Sequence, residues 1–440
     1  MRRSFRAHQH RKGVKNMANS RIPGLKDLTL DERRAIVVAN SALEPADFAA
    51  WDPSTALTLD QADHMIENVL GVLPIPVGFA ANFTINGRDI LVPMATEEPS
   101  VVAAASNAAR IARETGGFVT SSTDPIMRAQ IQVVDVSDPE AARLRLLEAR
   151  DELIATANEQ DPMLVELGGG VRDIAVQLVE ARTQVYVVLH LIVDVRDAMG
   201  ANAVNTMAEA LADRVAEIAH GRALLRILSN KADLRLARAR AVFSAEQLGG
   251  ERIVEDIVHA AALAEVDPYR AATHNKGATN GIIAVVLATG NDTRAVEAGI
   301  HSHAVRDGRY SSLTRFEKDA QGDLVASLEI PMAVGLVGGA TKVHPGARAA
   351  VRMLGVTTAS ELAEIIVAVG LAQNVAGLRV LATEGVQRGH MTLHARNVAV
   401  SAGAVTPEEI TAVAARMVSE KAVRAERAIA LLEGLRRDER

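Results

Sequence analysis

The chain has 440 residues, more than one hydrophobic core normally organises, so two or three domains are expected. Aromatic residues make up only 2% of the sequence and the formal net charge is -6, which argues against a nucleic-acid platform of stacking rings on a basic face. The chain has no cysteine. This excludes disulfides, thiolate metal sites and an acyl-cysteine intermediate, and it is compatible with a reducing cytoplasm.

The N-terminal residues are basic. The first 16, MRRSFRAHQHRKGVKN, contain no apolar core and are therefore not a secretory signal. Residues 1–19 are predicted to be a disordered basic tail; a targeting or binding arm, or a true start at Met17, are the alternatives. No apolar run in the sequence reaches the ~18 residues needed to span a bilayer, so no membrane partner is expected.

The next region is predicted to begin with helices and to continue into a β-hairpin. Helices are expected from about Leu30, capped by Asp31, and over Leu59–Val69. The segment 67–78 contains prolines and glycines that forbid a helix, and apolar residues that we expect to be buried. Asn86-Gly87 between two apolar runs is a strong signal for a hairpin.

The hairpin leads to two adjacent carboxylates. Glu97 and Glu98 precede a helix expected over Val101–Glu114, with Pro99 in its first turn. They lie there at the positive end of the helix dipole. Simple compensation of the dipole is one interpretation, and a carboxyl group held between a strand and a helix for chemistry is the other.

Between residues 126 and 221 the pattern changes to that of a compact split βαβ domain. The predicted elements are a strand at Ala129–Val136, a helix at Asp138–Asn158, a turn at Gly168–Gly170, a strand at Gln184–Val193 and a helix at Ala203–Ile218. The segment 197–202 leads small residues into a helix N-terminus, which suits phosphate binding. A simple helix cap at Asp197 is the alternative, and no G-x-G-x-x-G motif indicates a standard dinucleotide fold.

One stretch in the middle of the chain places a lysine and an aspartate at opposite ends of an apolar run. The polar segment His274–Gly281, which contains Lys276, is expected to be a glycine-broken turn. The run Ile282–Ala288 is interpreted as a short buried helix, although a buried strand has the same pattern. Asp292 follows it. A surface lysine and an aspartate that caps the helix Thr293–Ala298 are the alternatives to a functional site.

The last third of the chain is predicted to be largely helical. A strand pair is expected over Tyr310–Val325 with Gly322 at its turn, and a long helix over Ser360–Thr383. A helical pair over Pro407–Leu435 begins with a cap at Thr406.

Two histidines precede this pair. His390 and His394 are four residues apart and hence on one helix face. A zinc protease would need glutamate where Met391 stands, so no metal is expected. Gly403 is a candidate hinge for a small C-terminal module that closes over a site near the histidines.

Seven motifs follow one another along the chain. They are ENVLGVLPIPVG from Glu67, EEPS at 97–100, DAMGAN at 197–202, DPYRAATHNKG at 267–277, ATGND at 288–292, PMAVGLVGGAT at 331–341 and GHMTLHARN at 389–397. In this order they resemble the bacterial class II form of 3-hydroxy-3-methylglutaryl-CoA (HMG-CoA) reductase. The resemblance covers nearly the whole chain from about residue 20.

The resemblance implies an α+β fold. A large, mostly helical acyl-CoA-binding domain (residues 20–125 and 222–388) would carry an inserted small split-βαβ, ferredoxin-like, nucleotide-binding domain (126–221) and a C-terminal helical flap (389–440). It also implies a cytoplasmic, obligate homodimer that could assemble further, with residues from both subunits in each active site.

Matched position by position, the resemblance implies specific site residues. The catalytic set is Glu98, Lys276, Asp292 and His390, with His394 as the alternative to His390. The acyl substrate would contact Ser100, Arg270 and Asn280. The cofactor would contact Asp161, Asp197, Met199, Gly200 and Asn202.

HMG-CoA reductases interconvert HMG-CoA and mevalonate plus CoA by two successive hydride transfers with a nicotinamide cofactor. Lys276 can supply the cation that the thioester oxygen needs, Glu98 the acid for the aldehyde step, and His390 the proton for the departing thiolate. Asp292 is interpreted as the group that tunes the Glu98–Lys276 pair. A catalytically inactive CoA- or nucleotide-binding protein on the same scaffold is the alternative function.

NAD(H) is the expected cofactor, with NADP(H) as the second candidate. The resemblance implies this through Asp161, because class II enzymes that prefer NAD carry an aspartate at the matching place. A carboxylate accepts hydrogen bonds from ribose hydroxyls but repels a 2′-phosphate. No lysine or arginine lies between Asp151 and Gly170 to hold that phosphate. A turn aspartate before Pro162 is the alternative.

Overall fold

The structure, a computed structural model, describes residues 19–383 and 395–438. Its strands are β1 Val77–Ile85, β2 Arg88–Ala95, β3 Phe118–Ser122, β4 Ile126–Val134, β5 Gly170–Glu180, β6 Val185–Asp194, β7 Arg222–Ser229, β8 Leu236–Phe243, β9 Val305–Arg306, β10 Arg309–Tyr310, β11 Thr314–Lys318 and β12 Leu324–Pro331. Its first helices are α1 Leu30–Asn40, α2 Leu59–Asp63, α3 Val101–Arg113, α4 Pro139–Glu148, α5 Arg150–Asn158, α6 Pro162–Glu166, α7 Ala201–Ala219, α8 Ala245–Leu248 and α9 Glu251–Val266. They are followed by α10 Pro268–Ala288, α11 Thr293–His303, α12 Gly339–Val343, α13 Pro345–Leu354, α14 Ala359–Thr383, α15 at 395–401, α16 Pro407–Ser419 and α17 Ala425–Asp438.

A six-stranded sheet lies at the centre of the larger part of the molecule, in the order β11-β12-β8-β3-β1-β2. The predicted hairpin is confirmed between β1 and β2, where Asn86 and Gly87 have φ of 49° and 76°, as a type I′ turn requires. Helices α3, α9, α10 and α14 contribute buried side chains to one large core with this sheet. The α+β fold class is thereby confirmed.

A separate four-stranded antiparallel sheet has the order β5-β6-β4-β7. In chain order its elements are a strand, helices, two strands, a helix and a strand, which is the predicted split βαβ arrangement. Helices α4, α5 and α7 form a core with it. The edge strand β7 lies beyond residue 221, the expected end of this domain. Its exposed residues Leu224, Leu225 and Ile227 do not alternate with polar ones, so its sequence gave no strand signal.

Several element ends differ from expectation. Thr29, not Asp31, caps α1, because Glu32 and Thr29 bond each other's backbone in a capping box. Helix α2 ends at Asp63 instead of Val69, where the chain turns toward an extended segment. Pro99 lies outside α3, which begins only at Val101.

Most of the proline-containing segment 67–78, which was predicted to be buried, is exposed, together with Ile66 before it. Its exposed apolar side chains are Ile66, Leu70, Val72, Leu73, Ile75 and Val77. The segment has no helix or strand before β1 in which to bury them. Such a contiguous exposed apolar run is typical of an interaction surface. We call it the exposed apolar segment.

The two longest described helices, α10 and α14, pack closely because glycines lie between them. A Cβ on Gly370 of α14 would stand 2.6 Å from Ile282 Cγ1 of α10. By length and composition, α14 is the one described helix that could cross a membrane, but 72% of its apolar window is buried inside the protein.

Residues 395–438 contain α15, α16 and α17, which share a small core that includes Ala399, Val413 and Met417. The predicted helical pair is present as α16 and α17, and Thr406 caps α16 in a capping box. The expectations for residues 1–18 and for His390 and His394 lie outside the described residues.

Candidate functional site

Glu98 and Lys276 form the centre of the candidate site. Strand β2 ends at Ala95, and the hydroxyl oxygen of Thr96 then accepts a hydrogen bond from Glu98 N at 3.2 Å. Lys276 Nζ donates to Glu98 Oε2 at 2.8 Å, and the two side chains are 57% and 37% exposed. The pair therefore presents both a cation and a carboxylate to any molecule that binds at this surface.

Lys276 lies on a helix, so the prediction of a glycine-broken turn was wrong. Helix α10 runs through the whole HNKG sequence. Its glycines provide space for α14: a Cβ on Gly277 would stand 3.3 Å from Asn374 Nδ2, and one on Gly281 3.0 Å from Gln373 Cβ. A helix holds the lysine more firmly than a flexible loop would.

The three residues expected to contact the acyl substrate lie at different positions relative to the Glu98–Lys276 pair. Asn280 is one turn beyond Lys276, on the same face of α10. Ser100 is two residues after Glu98 and stands at the N-terminus of α3 with φ of 76°. Arg270 lies in the first turn of α10, about a third of a helical turn around from the lysine's face.

A buried polar network behind α10 was missed by the sequence analysis. Thr314 Oγ1 donates to Asn374 Oδ1 at 2.8 Å and contacts His274 Nε2 at 2.5 Å, while Asn374 Nδ2 donates to the His274 carbonyl at 2.7 Å. The hydroxyl has a single proton, so we assign the imidazole proton to Nε2. The Nδ1 atom is buried and has no hydrogen-bond partner among the residues that the structure describes. Burial, with a smaller contribution from Arg270, lowers the pKa of His274 to about 4.

Asp292 is separated from the pair. Its Oδ1 accepts hydrogen bonds from Arg294 N at 3.0 Å and Ala295 N at 3.1 Å, so it caps α11, as one interpretation predicted. Between Lys276 and Ala288, α10 rises by about 18 Å. Within one chain, Asp292 thus lies past the far end of α10 from Glu98 and Lys276.

The segment 197–202 lies near that same far end. Asn291, the neighbour of Asp292, accepts a hydrogen bond through Oδ1 from Gly335 N at 2.7 Å. Leu336 N, next to Gly335, donates to Asp197 O at 2.8 Å. One backbone stretch therefore connects Asp292 to the segment expected to bind nucleotide.

Gly200, not Asp197, stands at the N-terminus of α7. Gly200 has φ of 103° and, as the N-cap residue, has no side chain with which to cap α7. Asp197 instead caps α14, because its Oδ1 accepts a hydrogen bond from Ala359 N at 2.8 Å. The interpretation of Asp197 as the cap of the helix that follows it was therefore wrong. Asn202 is exposed in the first turn of α7.

Arg235 is a buried cation that the sequence analysis did not single out. Its guanidinium donates to Ala198 O at 3.0 Å, Met199 O at 3.1 Å and Val334 O at 2.6 Å. Burial lowers its pKa to about 10, against the opposing effect of nearby carboxylates, and leaves it charged at neutral pH. An arginine before a strand normally lies at the surface, so no sequence signal marked it.

Asp161 caps the short helix α6 through a hydrogen bond that its Oδ1 accepts from Leu164 N at 2.9 Å. Close to the loop that follows, Arg172 and Arg196 donate to the buried carboxylate of Asp194 at 2.9 and 2.6 Å. Arg172 also donates to Gly168 O. The structure thus brings two partly exposed guanidiniums to a loop in which the local sequence has no cation.

Candidate metal ligands are not clustered in the part of the chain that the structure describes. Within residues 19–383 and 395–438, no three His, Cys, Asp or Glu side chains are arranged to hold an ion. The only metal candidates of the sequence analysis, His390 and His394, lie outside those ranges.

Known proteins match this chain over most of its length. A sequence model of the family described as hydroxymethylglutaryl-coenzyme A reductase matches residues 29–395. The 3-hydroxy-3-methylglutaryl-coenzyme A reductase of Archaeoglobus fulgidus is 52% identical over 431 residues, 98% of this chain and 98% of that protein. The probable 3-hydroxy-3-methylglutaryl-coenzyme A reductase of Borreliella burgdorferi is 36% identical over 344 residues, 76% of this chain and 77% of that protein.

Solved structures of 3-hydroxy-3-methylglutaryl-coenzyme A reductases are also similar to this chain. The 3-hydroxy-3-methylglutaryl-coenzyme A reductase from Streptococcus pneumoniae superposes with a TM-score of 0.80 at 38% identity, covering 94% of this chain and 99% of that chain. The class II enzyme of the same organism bound to NADPH in open conformations gives a TM-score of 0.79 at 38% identity, covering 82% and 99%.

Proposed function

This chain belongs to the hydroxymethylglutaryl-coenzyme A reductase family, and from that premise we propose which of its residues interconvert HMG-CoA and mevalonate plus CoA. We assign the catalytic roles to Glu98, Lys276, Asp292 and His390. The alternative of an inactive binding protein loses its support, because the Glu98–Lys276 pair is intact at 2.8 Å.

The Glu98–Lys276 contact carries the assignment. Reduction of a thioester places negative charge on its carbonyl oxygen, and the Lys276 ammonium can donate a hydrogen bond to that oxygen. Glu98, bonded to the same ammonium, is placed to pass a proton to the oxygen when the aldehyde becomes an alcohol, and its carboxylate must take up that proton before this step. Between the two reductions the carbon–sulfur bond of the hemithioacetal breaks, and we assign to His390 the proton that the departing CoA thiolate takes up.

The N-terminus of α7 fits a nicotinamide dinucleotide, which when bound supplies the hydride of each reduction. Gly200 is needed there, because a Cβ would stand 2.7 Å from Val195 Cγ1. The uncapped N–H groups and the positive end of the helix dipole favour a pyrophosphate. We propose that Met199, Gly200 and Asn202 line this site, that Asp197 holds the segment in place, and that the four-stranded sheet with its helices is the nucleotide-binding domain.

We propose that NAD(H) is preferred over NADP(H), with Asp161 as the residue that disfavours a 2′-phosphate. The charges of Arg172 and Arg196 reduce this repulsion, but both guanidiniums are bonded to the buried carboxylate of Asp194, which offsets part of their charge. The Streptococcus pneumoniae relative bound to NADPH makes the preference worth measuring directly.

We propose that the protein is a homodimer in the cytoplasm, with Glu98 and Lys276 of one subunit facing the partner's Asp292 and nucleotide-binding segment. Asp292 is out of reach of the pair within one chain, since α10 rises by about 18 Å from Lys276 to Ala288 and Asp292 follows that far end. The exposed apolar segment adjoins the Glu98 loop, where Thr96 N donates to Pro76 O at 3.1 Å, and it supplies a surface for the partner to cover. The lack of cysteine supports a reducing compartment.

The decisive experiment measures how many reduced cofactors are consumed for each CoA thiol released. The purified protein is given HMG-CoA and NADH, and the absorbance of the reduced cofactor is followed while released CoA is captured by a thiol reagent. The proposed reaction consumes two reduced cofactors for each thiol released, with mevalonate as product. A ratio of one would show that the reaction stops at the aldehyde, and no consumption with NADH or NADPH would refute the function.

A further inference from the structure

Arg235 brings a positive charge into the interior, where its guanidinium is surrounded by backbone carbonyls. The residue lies between β7 and β8 and is 5% exposed. On one side it donates to the carbonyls of Ala198 and Met199, and on the other to that of Val334. Burying a charge is strongly unfavourable unless its donors are satisfied, so these bonds stabilise the buried charge and hold the three peptide units in place.

The stretch 332–337 makes further backbone contacts with the segment 197–202 and with Arg235. Ala198 forms a parallel bridge with Val337, and Met332 N donates to Arg235 O at 2.9 Å. The two backbones are so close that a Cβ on Gly335 would stand 2.4 Å from Met199 N. The same Gly335 donates its N–H to Asn291, next to Asp292.

We propose that Arg235 is a positioning residue for the dinucleotide, which locks the backbone of Ala198 and Met199 and so fixes the bound dinucleotide relative to Asp292. The proposal rests on the function proposed above and adds a residue that does not touch the reacting atoms. A trans peptide unit directs its C=O and N–H to opposite sides, so the bond from Arg235 to Met199 O turns the Gly200 N–H away from Arg235. That N–H belongs to the helix start at which we place the pyrophosphate.

The test measures binding of NADH directly, through its fluorescence, so that it does not depend on turnover. Arg235→Met is expected to raise the Kd for NADH by at least about tenfold, the equivalent of one lost charged hydrogen bond. Arg235→Lys should raise it less, because an ammonium still donates to some of these carbonyls. The KM for HMG-CoA should stay within about twofold, because the acyl site is built from the other half of α10.

Arg145 provides the matched control. It is also a partly buried arginine that donates to backbone carbonyls, those of Ile218 at 2.8 Å and Ala219 at 3.0 Å, but at the C-terminal end of α7. Arg145→Met should leave the Kd for NADH unchanged, which separates a general loss of stability from a local effect on the segment 197–202.

Gly335→Ala is an independent second variant, because its added Cβ displaces the same backbone while Arg235 stays in place. It should also raise the Kd for NADH. If Arg235→Met fails to fold by circular dichroism and thermal melting, Arg235→Lys and Gly335→Ala decide. Folded variants that bind NADH within about twofold of the unmodified protein would overturn the positioning role. An unmodified protein that neither binds NADH nor releases thiol from HMG-CoA would instead refute the proposed function.

Discussion

At the scale of single residues, the Glu98–Lys276 pair is better suited to chemistry than to stability. Exposed ion pairs contribute at most about 1 kcal/mol, and both partners of this pair are well exposed. Lys318 and Glu255 form a comparable exposed pair at 2.6 Å, between β11 and α9. The two pairs should therefore respond alike in stability and differently in catalysis.

Lys276→Ala is expected to lower the rate of HMG-CoA reduction by roughly 10²–10³, because the developing oxyanion loses its cation. Its melting temperature should change as little as that of Lys318→Ala, which should keep full activity. Steady-state kinetics and thermal melts of the two variants measure this. Near-normal turnover in folded Lys276→Ala would show that the lysine has no catalytic role.

Asp161 is observed to cap α6 and is proposed to select the cofactor, and two substitutions can separate the two roles. Asp161→Asn keeps a good helix cap and removes the charge, whereas Asp161→Ala removes both. The efficiency ratio of NAD(H) to NADP(H) should fall in both variants, and stability should fall, by about 1 kcal/mol, only in Asp161→Ala. Equal or better use of NADP(H) by the unmodified protein would contradict the NAD preference.

His274 should make the protein less stable in acid. Its folded pKa of about 4 lies below the usual value of 6.5, so the unfolded chain binds the proton first as pH falls. The contribution is complete above pH 6.5 and is lost toward pH 4, by roughly 3 kcal/mol in total. Urea unfolding at several pH values should show a shallower acid decline in His274→Gln than in the unmodified protein. The exposed His64→Gln is the control, and an unchanged slope in His274→Gln would contradict the assignment.

The sequence motifs identified Glu98 and Lys276 as candidate site residues, but they did not identify the long-range contacts that position the site. Residue types at fixed spacing are visible in a sequence, whereas a partner far along the chain is not. Asp197 caps a helix that begins at Ala359, and Arg235 satisfies carbonyls on both sides of a backbone contact. These contacts exist only after folding, so local pattern could not predict them.

At the scale of elements, strands and hairpins with strong turn signals were predictable, and glycine-rich helices were not. Glycine in α10 looked like a break because helix propensity is a local quantity. The glycines of α10 are explained by the packing of α14, which approaches α10 closely at these positions. Local pattern also failed to predict β7, because the exposed residues of this edge strand do not alternate with polar ones.

Two glycines of α14 should respond oppositely to alanine. At Gly370 a Cβ would stand 2.6 Å from Ile282 Cγ1, so Gly370→Ala should destabilise the protein by about 1–3 kcal/mol. At Gly377 no heavy atom of the described residues lies within 4 Å of such a Cβ, so Gly377→Ala should stabilise it by about 0.5–1 kcal/mol. Denaturant unfolding measures both. Equal effects would show that the helix crossing does not depend on these positions.

At the scale of the whole molecule, the single chain divides the proposed site between two places. Glu98 and Lys276 lie toward the first half of α10, whereas Asp292 and the segment 197–202 lie near its far end. The sequence resemblance implied a shared site, and the helical geometry supports the proposal that Glu98 and Lys276 of one subunit meet Asp292 of the other. A two-fold dimer that covers the exposed apolar segment would create two such sites.

Mixed dimers test this arrangement. Lys276→Met and Asp292→Asn should each be nearly inactive alone. Co-expressed, they should recover about a quarter of full activity, because about half of the dimers are mixed and each mixed dimer has one intact site of two. The mirror experiment pairs the unmodified chain with a chain that carries both substitutions, and its mixed dimers should be inactive. If Asp292 instead served Lys276 of its own chain, the first mixture would stay inactive and the mixed dimers of the second would keep one working site.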